Sequence, residues 1–460
     1  MKNTTATVEP LPRQVITVDL DGPEPVAPEA GHYGTAMVVG RVGGVPVGVV
    51  DLDVETGGLG TEGFALAVAS LRSMADQVSA AARSVAPKTP IADADLPSIT
   101  VVVSTIVGRD EDLELLLDGF AHVDYPDVEF LIVDNRTSLP PHDRLPELVA
   151  GRDRVRVVAE RRPGISAGRN AGVAAARGEI IAFTDDDVRV EPNWLRALGT
   201  RFARDPGLDA ATGLILPAEL ETPAQIWFER YYGGFSGERT FTPLRVQADP
   251  RLPTFLRGSR VSVRNGGGEE LRKVAVYGVG AFGAGANMAF RASALRRVGG
   301  FDTALGTGTP ARGGEDLATM ISILWTGGAL GYEPSAVVHH KHRRGLDELL
   351  KQLRGNGLGF TAMLTSLVLN DPRHLASLGY QLPLAVGTML RQNVQKLVNR
   401  NQPSDETRAD SIDDRYPRSL VISEMRDAPK GPGAYLTSRR VWRERTSGHG
   451  TSPGRTGSGS

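Results

Sequence analysis

The sequence predicts an α/β protein built on a mostly parallel sheet flanked by helices, with a small α+β module before it and a helical extension after it. Three observations carry this. From Ser98 onward, short β-branched runs alternate with helix-length segments, the pattern of strands joined by helical crossovers. Polar or acidic residues stand at the ends of these runs, at Thr105, Asp134 and the triplet Asp185, Asp186 and Asp187, where open α/β sheets bind ligands. Before Ser98, two strand-like stretches and one helical segment form a pattern of their own, closed by a Pro-containing linker over 86–97.

The totals narrow the class. At 460 residues the chain is longer than one compact domain but accommodates a catalytic domain with appendages. A net charge of -2 supplies no field for nucleic acid, so none is expected as a partner. Cys is absent, which excludes thiolate sites and leaves any metal to carboxylates and the 8 His. The first 20 residues lack a signal-like apolar core, and no apolar run reaches the roughly 20 residues of a spanning helix. The expected location is cytoplasmic, with peripheral contact at the inner membrane face through 360–390 as the alternative to core packing there.

In order, 14–20 and 35–50 read as strands, the latter folded at Val42-Gly43-Gly44-Val45 into a hairpin, and 64–85 as a helix; together 1–95 form the N-terminal module, of unassigned role. The catalytic domain spans 98–344. Its strands are Ile99–Thr105, 128–133, Val155–Ala159 and Ile180–Thr184, its helices 111–120, 166–176 and a segment opened by Pro192. The stretch 231–285, rich in Gly, Pro and Arg, reads as a long functional loop with some pairing near 273–277. Helices at Ala292–Val298 and Glu315–Trp325 follow, then a strand ending in His339-His340-Lys341-His342. A helical extension covers 345–400, and 401–460 reads as a largely irregular tail, disordered from about 447.

The triplet after Ile180–Thr184 is the centre of the chemistry. Side chains alternate along a strand, so Asp185 and Asp187 share one side while Asp186 faces the other. Like charges so close raise one another's pKa and favour a bound cation with an anionic ligand.

The order of motifs VVVSTIVGR (101–109), FLIVDN (130–135), GISAGRNAG (164–172), GEIIAFTDDDV (178–188), GANMAFR (285–291), GGFD (299–302), GED (314–316) and AVVHHKHR (336–343) resembles the family 2 glycosyltransferases. The likeness covers about 98–358. It implies a GT-A-type, Rossmann-like sheet and an inverting, metal-dependent transfer from a nucleotide diphosphate sugar, most simply a UDP sugar, to a hydroxyl of a glycan, lipid-linked or small-molecule acceptor.

The resemblance also implies roles. Ser104, Thr105, Arg109, Asp134, Arg169, Asp185, Asp186 and Arg343 would bind the nucleotide sugar, with Thr105 and Asp134 at the base. Asp187 and Asp185 would hold Mn²⁺ or Mg²⁺, together with His340 or else His342. Asp316, second acid of Gly-Glu-Asp, would be the catalytic base. Val188 stands where the family often has a further acid. Two other functions compete: a catalytically silent nucleotide-sugar-binding scaffold, and an NAD(P)-dependent oxidoreductase using Gly278-x-Gly280-x-x-Gly283, whose following segment reads as strand instead of the required helix. The oligomeric state has no signature in the sequence.

Overall fold

The computed structural model describes residues 12–29, 33, 35–52, 60–83, 91–235, 239–249, 251–252, 256, 258–381 and 417–448. The N-terminal module is a three-stranded sheet, β1 (Arg13–Asp19), β2 (Thr35–Val42) and β3 (Val45–Leu52), with helix α1 (Thr61–Arg83). Gly43 and Gly44 take φ values of 57° and 74°, the left-handed pair that a two-residue hairpin turn requires. Period-2 alternation then sorts β2. Val38 packs under α1 with Phe64, Val68 and Leu71, whereas Met37 and Val39 pack on Leu214, Leu216 and Val337 of the larger domain. Each buried aliphatic side chain contributes about 1.5–3 kcal/mol, so the second face fastens the module to its neighbour.

The larger domain is organised by an eleven-stranded sheet among the described residues. Its parallel part consists of β4 (Ile99–Thr105), β5 (Val128–Asp134), β6 (Val155–Ala159) and β7 (Ile180–Thr184), in the order β7-β4-β5-β6. Between them run α2 (Asp110–Ala121), the short α3 (Leu145–Val149) and α4 (Ile165–Ala175). The chain continues through β8 (Val188–Val190), α5 (Trp194–Arg204), β9 (Ala210–Pro217) and α6 (Pro223–Tyr232). Helix α5 begins two residues beyond Pro192, with Asn193 as its cap position.

The stretch expected to be a long loop is instead an antiparallel meander of β10 (Leu244–Ala248), β11 (Arg260–Asn265) and β12 (Glu270–Ala275). Its signal is faint because its buried apolar side chains, Leu244, Val246, Val261 and Val263, stand amid Arg, Gly and Glu. With it the sheet is mixed: the β7-β4-β5-β6 side is parallel, and the other side is antiparallel except where β9 pairs in parallel with the later strand Ala329–His340. Strand β13 (Met288–Arg291) follows a short 3₁₀ turn over Val276–Phe282, so Gly283 opens no helix and the dinucleotide fingerprint lacks its phosphate-binding N-terminus. Helices α7 (Ala292–Val298) and α8 (Glu315–Trp325) precede β14 (Ala329–His340), and α9 spans Leu346–Asn370.

Two apolar layers cover the sheet. One is formed by α2 and α5, through Leu113, Leu117, Phe120, Trp194 and Phe202; the other holds Phe290, Phe301, Met320 and Leu324 with Met363 of α9. The apolar part of 360–369 is thus core, with Ala362, Met363 and Leu367 buried. Residues 382–390, the rest of the segment weighed for membrane contact, lie outside the described residues. The tail expected to be irregular contains two helices, α10 (Arg418–Asp427) and α11 (Gly431–Gly448), anchored by buried Leu420 and Tyr435. Anchors so sparse leave almost no period to read. No helix among the described residues is long and apolar enough to cross a membrane.

Candidate active site

Strand β7 ends at Thr184, and the chain turns at the acid triplet into β8, which pairs antiparallel with β14 so that Val188 lies opposite His340. The Lys341 amide donates to the Asp187 carbonyl at 3.1 Å. This pairing brings together residues more than 150 positions apart. Asp185, Asp187 and His340 offer ligand atoms all within 4.8 Å of one another. His340 Nε2 stands 3.2 Å from Asp187 Oδ1 and 4.0 Å from Asp185 Oδ2, and Arg343 Nη1 3.5 Å from Asp187 Oδ2.

Burial pushes the His340 imidazole below its ordinary pKa, and it raises Asp185 against the opposing pull of Arg169. The Asp185 side chain remains 29% exposed toward the cleft, which bounds the effect of burial there. A neutral imidazole facing two carboxylates is the donor set of a hard dication; two oxygens and one nitrogen fit Mn²⁺ or Mg²⁺ better than Zn²⁺. Asp186 accepts from Thr105 Oγ1 at 2.5 Å, and burial lifts it to about 6. The triplet lies in the turn beyond β7, and all three of its acids line the same cleft, so the strict alternation expected of a strand does not separate them.

The acids floor an open cleft of about 370 Å³. Ser104, Thr105, Arg109, Asn135 and Arg343 line it, with Gly164 and Ile165 at the N-terminus of α4 and Thr307 and Gly308 across from them. Gly164 (φ 114°) opens α4 against the 307–308 turn, where its absent Cβ would lie 3.0 Å from Thr309. Gly168 is required as well, since a Cβ there would meet Ser104 Oγ at 2.1 Å. Val107 holds φ 53°, a strained value for a β-branched residue, fixed by its amide donating to Thr105 Oγ1 at 2.8 Å.

Other expected residues are placed differently. Asp134 is buried and saturated: Arg136 forks onto both its oxygens at 2.7 and 3.1 Å, and Arg161 adds a bond at 2.8 Å. Burial would raise its pKa, but these bonds outweigh it and hold the carboxyl below the usual range. Asp134 is not among the cleft-lining residues; its neighbour Asn135 is. Arg169 is likewise buried, donating to Glu315 Oε1 at 2.8 Å and reaching Asp185 Oδ1 at 3.4 Å, so it stands behind the acid tip instead of in the cleft. His342 turns away from the acids, pairing through Nε2 with Glu229 Oε2 at 2.7 Å, and burial drives its pKa down to about 3.

Asp316 starts α8, its Oδ2 accepting from the Gly285 amide at 2.8 Å, while the Gly285 carbonyl lies 3.5 Å from Arg169 Nη2. The base candidate and Asp185 are therefore tied through one glycine. Its neighbour Glu315 is buried and raised to about 7, first by burial and then by the Asp316 charge. Sequence reasoning missed Asp112, which lines the cleft and accepts from Lys341 Nζ at 2.8 Å, as well as Gly164 and Gly308. For the two glycines the Gly-rich surroundings were a usable signal; for Asp112, at the start of a helix, there was none.

A family model described as Glycosyl transferase family 2 matches residues 100–299. Among curated proteins, the chain is 26% identical over 180 residues to a "Pre-mycofactocin glycosyltransferase" of Mycobacterium tuberculosis, covering 39% of this chain and 30% of that one. It is 26% identical over 181 residues to a "Glucosyl-dolichyl phosphate glucuronosyltransferase" of Haloferax volcanii, covering 39% and 48%. The chain thus spans less than half the length of these relatives. Among solved structures, a mannosyltransferase from Pyrobaculum calidifontis, in complex with GDP-Man and Mn²⁺, aligns with a TM-score of 0.43 at 17% identity, over 79% of this chain and 98% of that one. GalNAc-T7 with UDP, GalNAc and Mn²⁺ aligns with a TM-score of 0.39 at 17% identity, over 60% and 52%. Over residues 100–299 the chain is thus similar to the glycosyl transferases of family 2.

Proposed function

We propose that the protein moves a glycosyl group from a nucleoside diphosphate sugar, with UDP as the simplest carrier, to an acceptor hydroxyl with inversion. The observation that carries this reading is the Asp185, Asp187 and His340 cluster at the floor of the cleft. Those three residues would hold Mn²⁺ or Mg²⁺. Such an ion, when bound, supplies Lewis-acid stabilisation of the departing diphosphate. Arg343 adds a positive charge on the same side, and the positive end of the α4 dipole lines the cleft at Gly164 and Ile165. Asn135, Ser104 and Thr105 form the wall suited to base and ribose.

In the displacement, Asp316 takes the acceptor hydroxyl proton as that oxygen bonds to the anomeric carbon. The bond to the diphosphate breaks, and its electron pair leaves with the nucleotide. Arg169, held by Glu315 and reaching Asp185, keeps the acid tip and the α8 start in one arrangement. The relative acting on a dolichyl phosphate makes a lipid-linked acceptor, met at the cytoplasmic membrane face, one reading beside a soluble glycan or metabolite.

Nucleoside diphosphate release from a panel of UDP, GDP and dTDP sugars, with and without Mn²⁺, tests the assignment. Asp316→Asn should keep metal-linked UDP or GDP binding and lower turnover by about 10²–10⁴. Full turnover in that variant would remove Asp316 from the mechanism, and nucleotide binding of equal strength without metal would remove the cluster.

A further inference from the structure

The turn that delivers Asp316 is built on glycines that press against another helix. Gly314 caps α8 at φ 86°, and a Cβ there would lie 2.7 Å from the Gly359 carbonyl oxygen and 2.9 Å from Met363 Cβ. From the other side, a Cβ on Gly359 would come within 2.9 Å of the Gly313 backbone. Backbone therefore meets backbone between the base-bearing turn and the middle of α9.

The opposite flank of α9 is equally close to the C-terminal helices. A Cβ on Gly357 would fall 2.0 Å from the Glu424 carbonyl of α10, and one on Gly431, at the start of α11, 2.6 Å from the Leu358 carbonyl. Thr361 Oγ1 also donates toward the Ala428 carbonyl. Helix α9 thus carries a glycine ridge gripped on both sides.

A second strand of contact runs from α11 to the same turn. Tyr435, 1% exposed, donates to Asp302 Oδ2 at 2.9 Å, and Ser366 of α9 donates to the same oxygen at 2.5 Å. Asp302 Oδ1 accepts from the Ala304 amide at 2.9 Å, so the carboxylate shapes the start of the 302–314 loop. That loop reaches both functional sides: the Thr307 carbonyl accepts from Ile165 at the head of α4, and the Gly306 amide donates to Gly313.

We propose that the C-terminal helices, acting across the glycine ridge of α9 and through the Tyr435–Asp302 bond, are the brace that positions the 302–316 turn and with it Asp316. Tyr435, Asp302 and Gly359 are positioning residues. The inference rests on the reading of Asp316 as base, but its structural half stands separately.

Hydrogen–deuterium exchange on the full chain separates the two. Tyr435→Phe and Gly359→Ala should each speed exchange of amides in 302–316 at least fivefold. Gly355→Ala and Gly433→Ala are the controls, since their added Cβ meets at nearest a side-chain atom 3.9 Å away and nothing within 4 Å, respectively; they should leave exchange as in the parent. In Tyr435→Phe and Gly359→Ala, nucleoside diphosphate release should fall tenfold or more in kcat with KM for the donor and Mn²⁺-linked UDP affinity within twofold of the parent, and the controls should keep the parent's kcat. Unchanged exchange in both Tyr435→Phe and Gly359→Ala overturns the brace, as does equal loss in the controls. If Asp316→Asn retains full turnover while the turn still loosens in the brace variants, the base assignment fails and the brace survives. Tyr435→Phe removes one oxygen atom, so it reports even where Gly359→Ala does not fold.

Discussion

Two strand tips in this sheet carry carboxylates, and they have opposite fates. At the end of β5, Asp134 is enclosed by Arg136 and Arg161 and kept ionised by them. At the end of β7, Asp185 and Asp187 face His340 and are only loosely paired, with Arg169 at 3.4 Å from the first and Arg343 at 3.5 Å from the second. The first tip is electrically complete. The second, with longer contacts, is open to a further cation. Position at a strand end does not by itself make an acid functional; what matters is whether neighbouring cations have already satisfied it.

The contrast can be broken in several ways, beginning with the largest effect. Asp187→Ala should lower Mn²⁺-linked UDP or GDP affinity a hundredfold or more in titration calorimetry while leaving thermal stability within about 0.5 kcal/mol of the parent. Asp134→Ala should do the reverse, costing about 3 kcal/mol in denaturant unfolding because two guanidiniums lose their buried partner, with metal affinity retained. A nucleotide-binding defect in Asp134→Ala without loss of stability would return that residue to the base pocket. Next, Mn²⁺ at a hundred times its dissociation constant should stabilise the parent by about 2.7 kcal/mol, and Asp187→Ala should abolish this gain.

The pH dependence is smaller. The Asp134 pKa is lowered in the fold, so its contribution is present above the unfolded carboxylate value of about 3.9 and is lost as pH falls through the folded value. Asp134→Asn should therefore flatten the acid limb of a stability profile below about pH 4 and leave neutral pH behaviour parallel to the parent. Smallest of all, His342→Gln should change Mn²⁺ affinity by less than about threefold, whereas His340→Gln should change it by tenfold or more.

Much of this was legible in the chain. Runs such as Ile180–Thr184 and Val155–Ala159 announce their strands at the observed bounds, and the spacing of Asp185 and Asp187 pairs them at one site, although alternation does not set Asp186 apart. The strand-ending His pair was equally visible. Which histidine meets the acids was not, because it depends on the β8–β14 register and on Glu229 claiming His342, both distant in sequence. The guanidiniums around Asp134 lay in plain view at Arg136 and Arg161, yet their direction is a tertiary fact. The 244–275 meander was obscured by Gly and Arg at its turns and edges, and the last two helices by how few apolar side chains hold them.

The N-terminal sheet has a practical corollary. Residues 100–299, produced alone, would lose part of the cover over Leu214, Leu216 and Leu220, because Met37 and Val39 of β2 and Val337 of β14 lie outside them. Such a fragment should aggregate where the whole chain stays dispersed. A fragment that keeps this cover begins near the first strand, upstream of residue 100, and runs through β14.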